Sequence, residues 1–261
     1  MANRFRVVIP ARYGSTRLPG KALLDIAGKP MVQWVYERAS ASGASEVIIA
    51  TDDERVIETA ARFGATAIMT AVTHASGTDR IAEIARKQGW PGDDVVVNVQ
   101  GDEPLMPPAL IDQVAAALHA DATAGLATLA APIHSLEEFL DPNCVKVVTD
   151  GSGRALYFSR APIPWDRDGA PGGAASQRSY NTARRHIGIY SYRVWALARW
   201  ASLDSTPLEG IEKLEQLRAL ENGLAIRVAN CAERPGADVN TREDLERVLA
   251  SLRTPPSPAA S

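Results

Sequence analysis

Phe5-Arg6-Val7-Val8-Ile9-Pro10-Ala11-Arg12-Tyr13-Gly14-Ser15-Thr16-Arg17-Leu18-Pro19-Gly20-Lys21 is the stretch whose reading decides the fold. Its apolar run, Val7-Val8-Ile9, stops at Pro10, as in a parallel strand buried on both faces. The segment beyond Pro10 cannot be the interior of a helix or a strand, because Gly14, Pro19, Gly20, Gly28 and Pro30 punctuate it. Arg12, Arg17 and Lys21 sit inside this segment with the hydroxyls of Ser15 and Thr16. A loop after the first strand of an open α/β sheet lies at the carboxyl edge, where such folds bind ligands. Cations and free backbone N–H groups gathered there describe a seat for a polyanion, most simply a nucleoside triphosphate. Two common phosphate motifs are excluded. G-x-G-x-x-G is absent, and the P-loop pattern fails because Ala22 stands where its hydroxyl belongs and Gly14 lies one residue too far from Gly20.

Outward from this stretch, strand and helix patterns alternate. A helix is predicted over 31–42, with Val32, Val35, Tyr36 and Ala39 on one face and Gly43 as its stop. A strand over 46–51 ends in Asp52-Asp53, a helix over 54–63 closes at Gly64, and a third strand covers 65–69. Thr78 is the expected cap of a helix running to Gln88. Asp94 to Gln100, DVVVNVQ, is a further strand that ends in Gly101-Asp102-Glu103-Pro104. Such alternation predicts an α/β fold with a mostly parallel, doubly wound sheet. Asp102, at the end of a central strand beside a polyphosphate loop, is placed to hold Mg²⁺ through oxygen, since Mg²⁺ needs only one or two carboxylates besides substrate phosphates.

The second half departs from this rhythm. A helix over 107–119, a strand over 126–132 and a short helix over 135–140 lead to a β-hairpin, 144–149 and 154–158, turning at Asp150-Gly151-Ser152-Gly153. A long loop, 159–187, carries Arg160, Arg167, Arg178, Arg184 and Arg185, and loops of this length are usually functional or mobile. His186 and Tyr190 come next, on an apolar strand at a spacing that puts both on one face. Helices are expected over 193–200 and 210–222, a strand over 224–229, and a last helix capped by Thr241.

The whole composition narrows the classes. The 261 residues are 46% apolar and 23% charged, with a net charge of −3, so nucleic acid is disfavoured as the main partner and any anion site must be local. Cys144 and Cys231 are far apart with no C-x-x-C, which fits a reducing cytoplasm and neither a disulfide framework nor a zinc site. No signal peptide is read, and no apolar run approaches the about 18 residues that span a bilayer. One domain is expected over 1–253, with 144–205 as an elaboration and 254–261 as a disordered tail.

Several motifs now combine: Ala11 to Lys21; Val97-Asn98-Val99-Gln100-Gly101-Asp102-Glu103-Pro104; Tyr157-Phe158-Ser159-Arg160; Ile163-Pro164-Trp165-Asp166; and Arg185-His186-Ile187-Gly188-Ile189-Tyr190. In this order they resemble the sugar nucleotidyltransferases, and within them the 3-deoxy-manno-octulosonate (Kdo) cytidylyltransferases, from about Arg6 to Leu249. The resemblance implies a nucleotide-diphospho-sugar transferase type of fold and an Mg²⁺-dependent enzyme. It would join CTP and Kdo into CMP-Kdo and pyrophosphate for lipopolysaccharide synthesis, as a homodimer built partly through the segment after Phe158. By family position, Arg12, Ser15, Arg17 and Lys21 hold the triphosphate, and Ala11, His74, Ser76, Gly77 and Gln100 complete the nucleotide site. Arg12, Arg17, Lys21 and Asp102 carry the catalysis. Arg160, with Arg185 second, meets the sugar carboxylate, for which a guanidinium fork is best suited. His186, Tyr190, Glu209, Glu212 and Gln216 face the sugar. The family's G-V-D-T pattern, whose Asp binds metal, reads Val239-Asn240-Thr241 here, with Asp238 two positions before Asn240. The metal set is therefore Asp102 with Asp238 and Asn240, and an extended segment points the latter two the same way. A sialic acid or amino-substituted Kdo as substrate, or a CTP-binding module without turnover, are the alternatives. A NAD-dependent dehydrogenase is a poor third, for want of the glycine fingerprint.

Overall fold

The computed structural model describes residues 4–14, 18–170, 172–173, 176–233 and 235–253. The expectations for Ser15 and Arg17, and for a disordered tail over 254–261, lie outside the described residues. Along the chain come β1 (Phe5–Pro10), a 3-10 turn (Lys21–Leu23), β2 (Asp25–Ile26), β3 (Lys29–Pro30), α1 (Met31–Ser40), β4 (Val47–Thr51), α2 (Glu54–Arg62), β5 (Thr66–Met69), α3 (Gly77–Lys87) and β6 (Val95–Asn98). Next are α4 (Pro108–His119), β7 (Leu126–Pro132), α5 (Leu136–Leu140), β8 (Lys146–Thr149), β9 (Ala155–Ser159) and β10 (Arg184–Arg193). The last are α6 (Val194–Trp200), α7 (Pro207–Glu212), α8 (Gln216–Glu221), β11 (Ile226–Asn230) and α9 (Arg242–Arg253). Among the described residues they form two compact units, one of 4–90, 96–112 and 235–253, the other of 91–95 and 113–233.

In the first unit the strands lie in the order β6-β1-β4-β5. β1 runs parallel to β4, with Val7 opposite Val47 and Ile9 opposite Ile49, and β4 runs parallel to β5. Val7, Val8, Ile9, Ile48, Ile49, Val96 and Val97 are buried, as strands covered on both faces require. Helices α1, α2 and α3 pack on these strands. The cap of α3 is Ser76, not the expected Thr78. The Ser76 hydroxyl accepts the Asp79 N–H at 3.2 Å, and Asp79 accepts the Ser76 N–H at 3.1 Å. That reciprocal pair satisfies two otherwise orphan donors, whereas Thr78 sits buried inside the first turn. A core of Ile26, Met31, Val239 and Val248, with Leu18, Trp34 and Leu105 against it, docks α9. The short β2–β3 hairpin has no counterpart among the sequence expectations.

In the second unit β11 runs parallel and β10 antiparallel to β7. The expected hairpin is present as β8 and β9, and Lys146 of β8 pairs with Arg185 of β10. β10 starts at Arg184, so the loop expected to reach 187 ends sooner. The helix expected over 210–222 is broken. Lys213 adopts φ 55 and ψ 46, and α7 and α8 lie on either side of it. A left-handed residue is a helix terminator, and this one donates its N–H to Glu209 O at 2.8 Å. Parallel pairs with intervening helices form the mostly parallel α/β arrangement expected, and β10 with the hairpin supplies the antiparallel part. Among the described residues no helix is long and apolar enough to cross a membrane.

Candidate active site

The loop after β1 is held at both ends in the first unit. Ala11, 3% exposed, donates its N–H to Ala50 O at 2.8 Å, while Arg12 next to it is exposed. Gly20 has φ 68 and gives its N–H to Tyr13 O at 3.3 Å, and a Cβ there would meet the Tyr13 hydroxyl at 3.1 Å. Glycine tolerates both the backbone angle and the close approach. This turn starts the 3-10 helix that aims Lys21.

Lys21 Nζ donates to Asp102 Oδ2 at 2.6 Å and to Asn240 Oδ1 at 3.1 Å. Three distant parts of the sequence therefore meet on one ammonium. Gly101 makes this possible, because a Cβ there would lie 2.6 Å from Pro10 O. Val239 fixes the third part. Its side chain is buried in the α9 core and its N–H bonds Asp102 O at 2.9 Å. Asp238 is exposed and accepts the Asn240 side-chain N–H at 2.5 Å, so it leaves the amide oxygen turned toward Lys21. Asp238 thus orients Asn240. Asp102 and Asn240 present hard oxygens to a single cation, which is the donor chemistry Mg²⁺ selects. Among the described residues no group of three or more His, Cys, Asp or Glu side chains converges. Glu103 carries no sequence signal for a site residue. Its Oε2 is buried without a hydrogen-bond partner among the described residues, and burial, then repulsion from Asp102 and Asp238, pushes its carboxyl up to about 8.

The base-side residues start α3 in the same unit. A Cβ on Gly77 would lie 3.2 Å from Pro10 Cγ and 3.7 Å from Gln100 Oε1, so Ser76, Gly77 and Gln100 adjoin the end of β1. His74 Nε2 lies 2.5 Å from Glu83 Oε2. Burial alone would raise the Glu83 carboxyl, but Lys87, the Ala71 N–H and His74 hold it down at about 2. His74 is thus fastened to α3 as a positioned group.

The sugar-side candidates all fall in the second unit. The His186 ring sits 5.1 Å from Phe158 and 5.2 Å from Tyr190, with Nε2 3.0 Å from Thr128 Oγ1. The shared face expected for His186 and Tyr190 is present even though the register shifts between Ile187 and Tyr190. Burial pushes His186 down to about 3, so the ring is neutral near pH 7 and offers hydrogen bonds, not charge. Its folded value lies below 6.5, so it stabilises the fold above that pH and the contribution is lost as pH falls toward 3. His186→Gln should flatten this acid-side slope in thermal unfolding followed from pH 3 to 6.5; an unchanged slope would refute the assignment. Arg185, adjacent on β10, faces the other side of the strand and pairs with Glu138 at 3.0 Å. Arg160 donates Nε to Glu212 O at 2.7 Å and Nη1 to Pro142 O at 2.9 Å, while the Glu212 carboxylate accepts the Ser159 hydroxyl at 2.6 Å and the Arg160 N–H at 2.9 Å. Glu209 is buried and takes Arg218 in a fork of 2.9 and 2.6 Å. Gln216 is buried, and its Nε2 has no partner among the described residues.

The structure therefore groups His186 with Tyr190 and Arg160 with Glu212, and sets Arg185 apart from His186. Sequence reasoning missed Lys146, fully buried, whose Nζ donates to Asp141 O at 2.9 Å and Arg160 O at 2.7 Å. A lone lysine inside the apolar strand Val145-Lys146-Val147-Val148 was the available signal. Arg218, the Glu209 partner, carried none.

A cytidylyltransferase family model matches residues 6–226. The chain is 59% identical over 250 residues to a 3-deoxy-manno-octulosonate cytidylyltransferase of Cellvibrio japonicus (strain Ueda107), covering 95% of this chain and 98% of that one. It is 53% identical over 249 residues to the protein of that name from Thioalkalivibrio sulfidiphilus (strain HL-EbGR7), covering 95% and 99%. Among solved structures it is similar to a CMP:2-keto-3-deoxy-manno-octonic acid synthetase complexed with CTP, with 43% identity, a TM-score of 0.85, and coverage of 96% and 98%.

Proposed function

This chain belongs to the cytidylyltransferase family, and from that premise we infer that it transfers CMP from CTP to Kdo and releases pyrophosphate. The observation that carries the reading is the convergence of Lys21, Asp102 and Asn240 on one point beside the loop after β1. A cation and hard oxygens at one place suit a bound polyphosphate together with a divalent metal. Arg12 and Lys21, with Ser15 and Arg17 from outside the described residues, take the triphosphate oxygens. Ser76, Gly77, His74 and Gln100 take the cytosine side. In the second unit His186, Tyr190 and Gln216 offer neutral hydrogen bonds suited to sugar hydroxyls. Arg160 is the cation for the sugar carboxylate, and its guanidinium is aimed by the carbonyls of Glu212 and Pro142. The segment 144–205 is the elaboration that carries the sugar-side strand within a single domain over 1–253.

Phosphoryl transfer of this kind depends on positioning and on neutralising phosphate oxygens. The anomeric hydroxyl of Kdo attacks the α-phosphorus in line and pyrophosphate leaves, with Lys21 balancing charge on the triphosphate. Asp102 and Asn240 would hold Mg²⁺, with Asp238 orienting Asn240. When bound, Mg²⁺ supplies charge neutralisation at the phosphates and lowers the pKa of the attacking hydroxyl. We place the enzyme in the cytoplasm, as a homodimer whose product feeds lipopolysaccharide synthesis.

The test is pyrophosphate release from CTP with Kdo, with N-acetylneuraminic acid, or with no sugar, each with Mg²⁺ or with EDTA. Release is expected only with Kdo and Mg²⁺. Release only with the other acid would replace the substrate, and release in EDTA would remove the metal.

A further inference from the structure

Arg80 lies just beyond the Ser76-Gly77-Thr78 start of α3 and is 3% exposed. Its guanidinium donates to Asp52 Oδ2 at 2.8 Å, to the Thr70 hydroxyl, and to Ala71 O at 3.4 Å. The second Asp52 oxygen, Oδ1, accepts the backbone N–H of Tyr13 at 3.3 Å. One carboxylate therefore joins the helix that carries Ser76 and Gly77 to the loop that carries Arg12. Tyr13 extends the chain of contacts. Its ring lies 3.4 Å from the Arg55 guanidinium carbon, and its carbonyl takes the Gly20 N–H just before Lys21. None of Asp52, Arg80 or Tyr13 takes part in the transfer chemistry itself.

We propose that Asp52 and Arg80 are positioning residues that clamp the triphosphate loop to the base-binding helix through Tyr13, so that base and phosphates are gripped as one rigid unit. This rests on the CTP reading. For stability alone an apolar pair serves a buried site as well as an ion pair. What the charged fork adds is fixed geometry, because a planar guanidinium sets both direction and distance. With the clamp closed, the entropy of ordering the loop at Tyr13 is already spent before nucleotide arrives, and the affinity gained is specific to the phosphate end.

Asp52→Asn tests this directly. In the same rotamer an amide puts its oxygen on one of the two donors and turns an NH2, itself a donor, on the other, so either the Tyr13 or the Arg80 bond is lost. CTP affinity is expected to fall about 10- to 100-fold, the range for a lost charge-assisted hydrogen bond, while cytidine affinity and the KM for Kdo stay near wild type. The readout is the CTP-to-cytidine affinity ratio by calorimetry, with unliganded thermal unfolding recorded alongside. Arg80→Lys keeps the charge but loses the fork, and should move the ratio in the same direction. It decides the matter should Asp52→Asn fail to fold. A folded variant that binds CTP normally, or that loses CTP and cytidine by the same factor, would overturn the clamp. Wild-type protein that fails to bind CTP at all would instead overturn the reading on which the clamp rests, and the clamp with it.

Discussion

Lys21→Ala is expected to lower kcat by about a hundred- to a thousandfold, the loss typical of removing one group that stabilises developing charge. The ammonium is the point where Asp102 and Asn240 meet, at 2.6 and 3.1 Å, and its side chain is only 14% exposed. Its removal takes a positive charge from the triphosphate and leaves the Asp102 carboxylate without its ion pair. The structural cost of leaving Asp102 unpaired is a separate quantity, read from thermal unfolding. Loss of an interaction that matters most in the transition state lowers kcat and kcat/KM together. Asp102→Ala should produce a loss of similar size through the metal side. Steady-state kinetics beside thermal unfolding separates the two costs. Near-normal kcat in a well-folded Lys21→Ala or Asp102→Ala protein would sink the assignment.

The second large effect concerns pH. Glu103 is pushed up from 4.5 to about 8, first by burial and then by Asp102 and Asp238. A carboxyl with a raised folded value binds a proton more tightly in the folded chain than in the unfolded one. Its contribution is fully present below pH 4.5 and is lost as pH rises through about 8. The slope is at most about 1.4 kcal/mol per pH unit. His186 works in the opposite direction but only below pH 6.5, so it does not oppose the Glu103 effect above that. Unfolding temperature followed from pH 6.5 to 8 should fall in the wild type and stay nearly level in Glu103→Gln. Parallel curves for the two proteins would show that Glu103 ionises normally.

Much of this architecture is legible because it is local. Val7-Val8-Ile9 and the glycines and prolines after it announce a buried strand and a ligand loop by themselves. The alternation up to Gln100 comes from hydrophobic period and stop signals, and Asp102 from its place at a strand end. What escaped depends on contacts between distant residues. Thr78 and Ser76 are both acceptable caps by type, and only the return bond from Asp79 selects Ser76. The break at Lys213 has no glycine or proline to mark it. It arises where Glu212 is drawn to Ser159 and Arg160, while Leu214 turns inward. Likewise, the family pattern offered Asp238 and Asn240 together as metal ligands, and the side-chain bond between them, which leaves the Asn240 oxygen on Lys21, is a contact that no spacing announces. Glu209 reads as a ligand from its motif, yet its carboxylate meets Arg218 nine positions later.

The bond between Lys21 and Asn240 also bears on when the protein first becomes competent. These residues stand 219 positions apart. A growing chain has Lys21 first, gains Asp102 81 positions later and Asn240 219 positions after Lys21. Val239 cannot hold that segment in place before Val248 on α9 is there to pack against it. Closing a contact this remote in sequence is slow compared with forming local helices. A fragment ending before α9 therefore has a nucleotide loop but no completed centre, and should release no pyrophosphate from CTP and Kdo.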